Sequence, residues 1–361
     1  MRLLSAIVVL FACASLVPVL AQSVATVPAP TATSAPAAAP GSVSNLAAVV
    51  VTGVQPGPGL WRVSKGEHVM WVLGTLSPLP QGMQWRSQEL EQVIGESQQV
   101  LLQPSLKFKA DVGFFGKLFL LPSAYSARKN DNGATLQQIL PPPVYVRWEV
   151  LKQKYIGRDR GIERWRPIFA GQELYKKALK ANGLSRTGGV QNTIDALLKR
   201  DGVKPVSTSY QVVIENPRAA LKAFKAAGPR DITCFIRTLD SVEQDLPAMK
   251  ARANAWATGD LQTLQALPDS ERRDACTAAL ADAGFAHTLG LDDLSAKLRA
   301  TWLAAARTAL QTNSETFAIL PMNELLKADG YLAALKADGY SVQAPDDPDD
   351  VEPAAGSSAT R

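Results

Sequence analysis

The sequence predicts a mixed α/β fold of the α+β kind, in which a mixed β-sheet is flanked by many helices and the middle of the chain is helical. Three observations carry this expectation. Two short runs of β-favouring residues, Leu60 to Val63 and Val69 to Leu73, stand on either side of Ser64-Lys65-Gly66-Glu67, which is the pattern of a hairpin. From about Val144 to Ala227, apolar residues recur mainly at helical spacing. A strand pattern returns late, at Thr316 to Leu320.

Composition agrees with a chain that folds over most of its length. Of 361 residues, 46% are hydrophobic and 20% charged, so disorder is confined to parts of it. The net charge of +5 comes from 38 basic against 33 acidic residues with no long block of one sign, too weak a basic balance to indicate a nucleic-acid partner.

The ends differ from the body. After Met1 and Arg2, an apolar run from Leu3 to Leu20 closes on Val19-Leu20-Ala21, which predicts a secretory signal at 1–21 cut after Ala21, and hence a periplasmic or secreted protein. An uncleaved anchor is the alternative; no other stretch approaches membrane-spanning length. Residues 22–58 form a tether. Their opening stretch is Ala, Pro, Thr, Ser and Val almost without charge, and they close on the Pro-Gly punctuation Gln55-Pro56-Gly57-Pro58-Gly59 after a short β-rich Val49-Val50-Val51. The folded domain is expected over 59–345, followed by an acidic tail at 346–361 holding Asp346, Asp347, Asp349, Asp350 and Glu352.

Within the domain the order starts strand, strand, helix, strand. Trp61, Val63, Val69, Trp71 and Leu73 supply the hairpin, Gln88 to Ser97 a short helix, and Val100-Leu101-Leu102 a brief strand. Helices follow near Val144 to Tyr155 and Trp165 to Ala181, with Gly188-Gly189 as punctuation. A strand is expected at Val203 to Val206, a helix opening at Asn216-Pro217, and helical stretches at Pro247 to Leu267 and Asp292 to Gln311. In the last of these Leu291, Leu294, Leu298, Trp302 and Ala305 share one stripe. After the strand Thr316 to Leu320 come a helix near Leu332 to Lys336 and a strand near Ser341-Val342. The repeated words Lys327-Ala328-Asp329-Gly330-Tyr331 and Lys336-Ala337-Asp338-Gly339-Tyr340 place a glycine at a turn or helix end in each copy.

Once the signal is removed, Cys234 and Cys276 remain, an even pair in a chain bound for an oxidising compartment. A disulfide between them is the default expectation, with two buried thiols as the alternative.

The run Leu60-Trp61-Arg62-Val63, then Trp71-Val72-Leu73-Gly74-Thr75-Leu76-Ser77-Pro78, resembles the start of the TraB/GumN family. The resemblance continues through Gly188-Gly189-Val190-Gln191 to Phe317-Ala318-Ile319-Leu320, with Asp329-Gly330 and Gly339-Tyr340 beyond, spanning about residues 60 to 343. It implies a metal-dependent hydrolase: family members of that type carry a Gly-x-x-His after the early strand, a Glu at the end of the next strand, and a second Gly-x-x-His after the late strand. Imidazoles and a carboxylate converging at strand ends can hold a divalent ion that lowers the pKa of bound water.

Carried over position by position, the pattern changes. The first motif is Gly74-Thr75-Leu76-Ser77, the Glu position falls on Gln103, and the second motif aligns with Pro321-Met322-Asn323-Glu324. An acidic residue after Gly-Val becomes Gln191, and a Leu-Glu after the strand becomes Thr208-Ser209. The resemblance thus marks Ser77, Gln103 and Glu324 as positions of a degenerate site; Gly74, Thr75, Ser209 and Arg299 are candidate binding residues.

Histidine content points the same way without reference to any family. The chain has only His68 and His287, with no His-x-x-x-His or Glu-x-x-His pairing, which speaks against a zinc site. An all-oxygen calcium or magnesium site is the alternative, but the sequence has neither an EF-hand loop nor a dense internal acidic cluster, so the expectation is no metal and no cofactor. A Gly-x-Ser-x-Gly elbow, a phosphate loop and Gly-x-Gly-x-x-Gly are also missing from the sequence. The basic stretch Arg147, Lys152, Lys154, Arg158, Arg160, Arg164, Arg166, interleaved with Trp148, Tyr155 and Trp165, could hold an acidic glycan or lipid headgroup. More often such a pattern is the solvated side of amphipathic helices. The functional expectation is a non-catalytic pseudo-hydrolase that binds a peptide, a glycan or an envelope partner. The alternatives are a hydrolase using Ser77 and Glu324, and a purely structural role in which the tether holds the domain away from an envelope complex.

Overall fold

The computed structural model describes residues 54–85, 88–110, 122, 125–186, 190–226, 231–267, 276 and 293–347. The signal at 1–21, most of the tether, Gly188-Gly189, His287 and the tail beyond 347 lie outside these residues.

The centre is a six-stranded mixed sheet. Its strands are β1 (Leu60–Lys65), β2 (His68–Thr75), β3 (Gln99–Leu101), β5 (Lys204–Val206), β7 (Glu315–Pro321) and β8 (Ser341–Gln343), in the spatial order β8-β1-β2-β7-β3-β5. Two further strands, β4 (Ser105–Ala110) and β6 (Ser209–Ile214), make a separate parallel ribbon. The hairpin β1–β2 turns at Lys65-Gly66-Glu67, but its burial does not alternate: of the residues that marked it in the sequence Trp61, Val63 and Leu73 are buried and Val69 and Trp71 half-buried, while Met70 and Val72 are fully enclosed because β2 lies inside the sheet. Strands β2, β7, β3 and β5 run parallel, so β7, although last in sequence of the four, inserts between β2 and β3. Its centre, Phe317-Ala318-Ile319-Leu320, is buried throughout, as a strand covered on both faces requires.

The described helices are α1 (Gln88–Glu96), α2 (Pro142–Tyr155), α3 (Pro167–Ala181), α4 (Val190–Asp201), α5 (Pro217–Ala226), α6 (Asp231–Asp240), α7 (Leu246–Thr258), α8 (Leu261–Ala266), α9 (Leu294–Thr312), α10 (Met322–Leu325) and α11 (Tyr331–Ala337), with Leu136–Ile139 a single extra turn. Helices α2 and α3 each begin on a proline in the first turn, where its missing N–H costs nothing and its φ is already helical. The expected helix Pro247 to Leu267 is two helices. Gly259, at φ 75°, ends α7, and Asp260 starts α8 by accepting the Thr263 N–H at 2.9 Å. Helix α6, unmarked in the sequence reading, runs into α7 through a π-helical turn at Ser241–Asp245.

Among the described residues two large apolar cores result, beside a small cluster of Val212 and Ala220. One gathers the sheet with α1, α4, α8 and α9, and the other packs α2, α3 and α6 around Trp148, Leu174 and Phe235. Helix α7 belongs to both: Leu246 and Met249 enter the helical core, and Ala253 and Trp256 enter the sheet core. The start of the fold lies ahead of residue 59. Val54–Gln55 pairs with Gln84–Trp85, and the Gly57 N–H donates to the Ala257 carbonyl at 2.8 Å.

The repeated words occupy different positions. Gly339, at φ 83°, closes α11, whereas Gly330 donates its N–H to Lys327 in a turn and begins α11. Among the described residues, no helix is long and apolar enough to cross a membrane.

Candidate functional site

Four neighbouring parallel strands end on one side of the sheet, so the carboxyl ends of β2, β7, β3 and β5 form a common rim, the place where open parallel sheets receive ligands. Register decides which residues meet there. Pro321 is level with Thr75, Ala318 with Leu101, and Leu101 with Val206. Just past these pairs the Thr75 hydroxyl lies 3.3 Å from the Leu320 carbonyl and 3.5 Å from Gln103 Oε1. The buried Thr208 hydroxyl donates to the Leu102 carbonyl at 2.7 Å, and the Leu102 N–H donates to Val206 at 3.0 Å. Thr75 and Gln103 therefore face each other as a neutral polar set, a hydroxyl and an amide, while the enclosed Thr208 gives its hydroxyl to the backbone.

A second group lies past β7. Glu324, on α10, pairs with Lys327 at 2.6 Å, and Arg299, on α9, donates to the Gly330 carbonyl at 2.8 Å. Tyr331 sits beside both. Its phenol is pushed up to about 12, first by burial and second by the Glu324 charge, while Arg299 pulls it down. Its ring stands edge-on to Trp302, centroids 5.3 Å apart.

Gly74 lies under the side chains of α10: a Cβ on it would fall 2.5 Å from Met322 Cε and 2.9 Å from Leu325 Cδ1, so a larger residue there would require those side-chain ends to shift. The Gly74 carbonyl accepts the Trp256 indole N–H at 2.7 Å, tying the end of β2 to α7. Gly74 itself is buried, and what it does in the fold is to let these side chains close on it.

The other candidate positions are more scattered. Ser77 is exposed in the turn after β2 and takes part in neither set of contacts described above. Ser209 opens β6 opposite Ser105, and its hydroxyl meets that of Ser207, which also accepts from Lys107 at 3.0 Å. Gln191 donates to Asp195 on its own helix at 2.8 Å. His68 stands at the opposite end of β2 from the rim, its Nδ1 2.6 Å from the Asn313 carbonyl. Sequence reasoning missed Trp256 and Tyr331 because both reach the rim by tertiary packing, for which no local spacing gives a signal.

Much of the basic stretch is taken up within the protein. Arg147 pairs with Asp240 at 2.7 Å and with Glu243, Lys152 pairs with Glu163 at 2.8 Å, and Arg166 is enclosed against Asp231 at 2.6 Å. Cys234 and Cys276 form a disulfide.

The model of the TraB/PrgY/gumN family matches residues 59–344 of the chain. The chain belongs to the TraB/PrgY/gumN family. No curated protein and no solved structure matches it. Family membership agrees with the mixed α/β architecture and covers both polar groups at the rim. Among the described residues, no group of three or more His, Cys, Asp or Glu side chains comes together in a way that could hold a metal ion.

Proposed function

We propose that this TraB/PrgY/gumN protein is an exported, non-catalytic relative of the family's hydrolases that binds a peptide, glycan or protein partner at the cell envelope. The observation that carries this is the Thr75–Gln103 contact at the strand ends, where a hydroxyl faces a neutral amide oxygen. A divalent transition ion needs several imidazole, thiolate or carboxylate donors converging on one point. The residues at the rim do not fit that requirement: the one carboxylate of the second group, Glu324, is engaged by Lys327. The alternative of hydrolysis by Ser77 has less support, since a serine nucleophile needs a base within hydrogen-bond reach and the Glu324 carboxylate bonds Lys327 rather than the exposed Ser77. Neutral donors and acceptors at a strand-end rim suit recognition of uncharged polar groups such as amides or sugar hydroxyls.

Metal analysis and thermal denaturation of the exported protein test the reading together. No stoichiometric zinc, manganese or cobalt is expected, and added ion should leave the melting temperature unmoved. A site occupied at a hundred times its Kd would stabilise by about 2.7 kcal/mol, a shift easily seen. Tightly bound stoichiometric metal, or peptide or ester hydrolysis that disappears in Ser77→Ala and Glu324→Gln, would overturn it.

A further inference from the structure

We propose that the outer edge of β4 receives an extended peptide as a third strand, with apolar side chains on one face and carboxylates on the other. This names the ligand class for the binding function proposed above and rests on that reading.

β4 follows β3 after three residues, Leu102, Gln103 and Pro104, while β6 follows β5 after only two, Ser207 and Thr208. The ribbon is therefore the β3–β5 pair carried past the rim with one extra residue in the Leu102–Pro104 link. Because β6 continues β5, it occupies the β5 side of β4. The opposite edge of β4 is the one β7 would fill had it not stopped at Pro321. Among the described residues β4 pairs with β6 alone. In a parallel pair alternate residues direct their N–H and C=O groups to one neighbour, and the others face the second side. Among the described residues, then, no strand takes up the row of backbone donors and acceptors along this edge of β4, which starts at the neutral polar set of the rim.

The side chains show what sort of strand fits. Opposed residues in a ladder share a face, so Leu106 and Phe108 lie with Tyr210, Val212 and Ile214. On β6 this face is covered: Val212 is 5% exposed, packed with Ala220 of α5. Phe108, paired with Val212, is 54% exposed, so the cover stops short of the outer strand. On the other face Lys107 and Lys109 are exposed. A strand added beside β4 would set its apolar residues against Phe108 and its alternate residues beside two ammonium groups, which calls for carboxylates. Lysines on an edge can instead serve to keep other strands away, and that is one outcome of the test.

The experiment measures fluorescence anisotropy of a labelled peptide alternating valine and glutamate, long enough to lie along all six residues of β4. Two further versions carry N-methyl groups on alternate backbone nitrogens, one for each phase. Saturable binding is expected for the parent peptide, with loss in at least one methylated version, and a weakening of about tenfold in both Phe108→Ser and the double variant Lys107→Glu, Lys109→Glu. These side chains are exposed, so the variants should keep the wild-type circular dichroism; the methylated peptides test the same point on the unaltered protein. No binding, equal binding of all three peptides, or a dimer of the free protein that Phe108→Ser dissociates would overturn the proposal, the last giving the edge to a second copy. Mass spectrometry of the recovered peptide separates this from the non-catalytic reading. A peptide that binds and is cut sinks that reading and leaves the edge standing, whereas one that neither binds nor is cut sinks the edge alone.

Discussion

At the scale of single residues, the most consequential pair lies away from the rim. Arg166 and Asp231 are each 5% exposed and joined by two hydrogen bonds, at 2.6 and 2.9 Å. Arg166 also donates to the Phe224 carbonyl at 2.8 Å and lies 4.2 Å from that ring's centroid. Burial pushes the Asp231 carboxyl up and Arg166 pulls it back, so each charge depends on the other. Removing one partner leaves the other enclosed without compensation, which costs about 3–5 kcal/mol, whereas replacing both by apolar groups of similar volume is often neutral or better. Urea denaturation should therefore show Asp231→Ala destabilised by that amount, and Arg166→Met combined with Asp231→Leu recovering most of it. A double variant as unstable as the single one would mean that Arg166 matters chiefly through Phe224. The sequence put Arg166 in a run of basic residues and offered no means of telling it from its solvated neighbours, because its partner is 65 residues away.

At the scale of elements, what was legible depended on whether the deciding contact was local. Alternating Trp61, Val63, Val69 and Trp71 marked the β1–β2 hairpin, whose strands pair across a short turn. Leu106 and Phe108 alternate with lysines just as clearly, yet β4 went unread because its only described partner begins at Ser209 and Pro104 interrupts the approach to it. Helix α6 escaped for a related reason: its Phe235 and Leu239 lie in the core shared with α3, and Gly171 of α3 approaches Phe235 closely enough that a Cβ would be 3.1 Å from its ring. At the rim, Gly74, Thr75 and Gln103 were named by resemblance to the family; their grouping followed from the insertion of β7, a topology that spacing alone does not reveal. The break between α7 and α8 is an element-scale feature with a pH signature. Asp260 caps α8 by accepting from the Thr263 hydroxyl and N–H, and those bonds hold its carboxyl below the usual range. For an acid with a depressed folded pKa, the stabilisation is complete above the unfolded value of about 3.9 and is lost as pH falls through the folded value. Asp260→Asn, which keeps a capping oxygen but does not titrate, should therefore melt at a temperature less sensitive to pH across that acid window than wild type does. Parallel acid limbs for the two proteins would show that the cap carries none of the pH dependence.

At the scale of the whole molecule, two cores share one helix, and this decides how the protein should unfold. Because α7 places Leu246 and Met249 in the helical core and Trp256 in the sheet core, neither core can lose its packing without stripping apolar cover from the other. Trp256 also holds the end of β2 through the Gly74 carbonyl, so loss of the helical core would reach the rim. The Cys234–Cys276 disulfide is anchored in this arrangement, since Cys234 is 2% exposed beside the helical core on α6. Closing a separation of 42 residues restricts the unfolded chain, which the chain-entropy model values at about 4 kcal/mol. Unfolding in urea, followed by far-ultraviolet circular dichroism and by tryptophan fluorescence, should give coincident transitions, because Trp148 reports on the helical core and Trp256 and Trp302 on the sheet core. The double variant Cys234→Ala, Cys276→Ala should move that single transition to lower urea by roughly the amount the model gives, with the two probes still coincident. Separate transitions in the variant alone would mean that the disulfide, rather than α7, couples the cores; separate transitions in wild type as well would mean that sharing a helix does not make the two packings one cooperative unit.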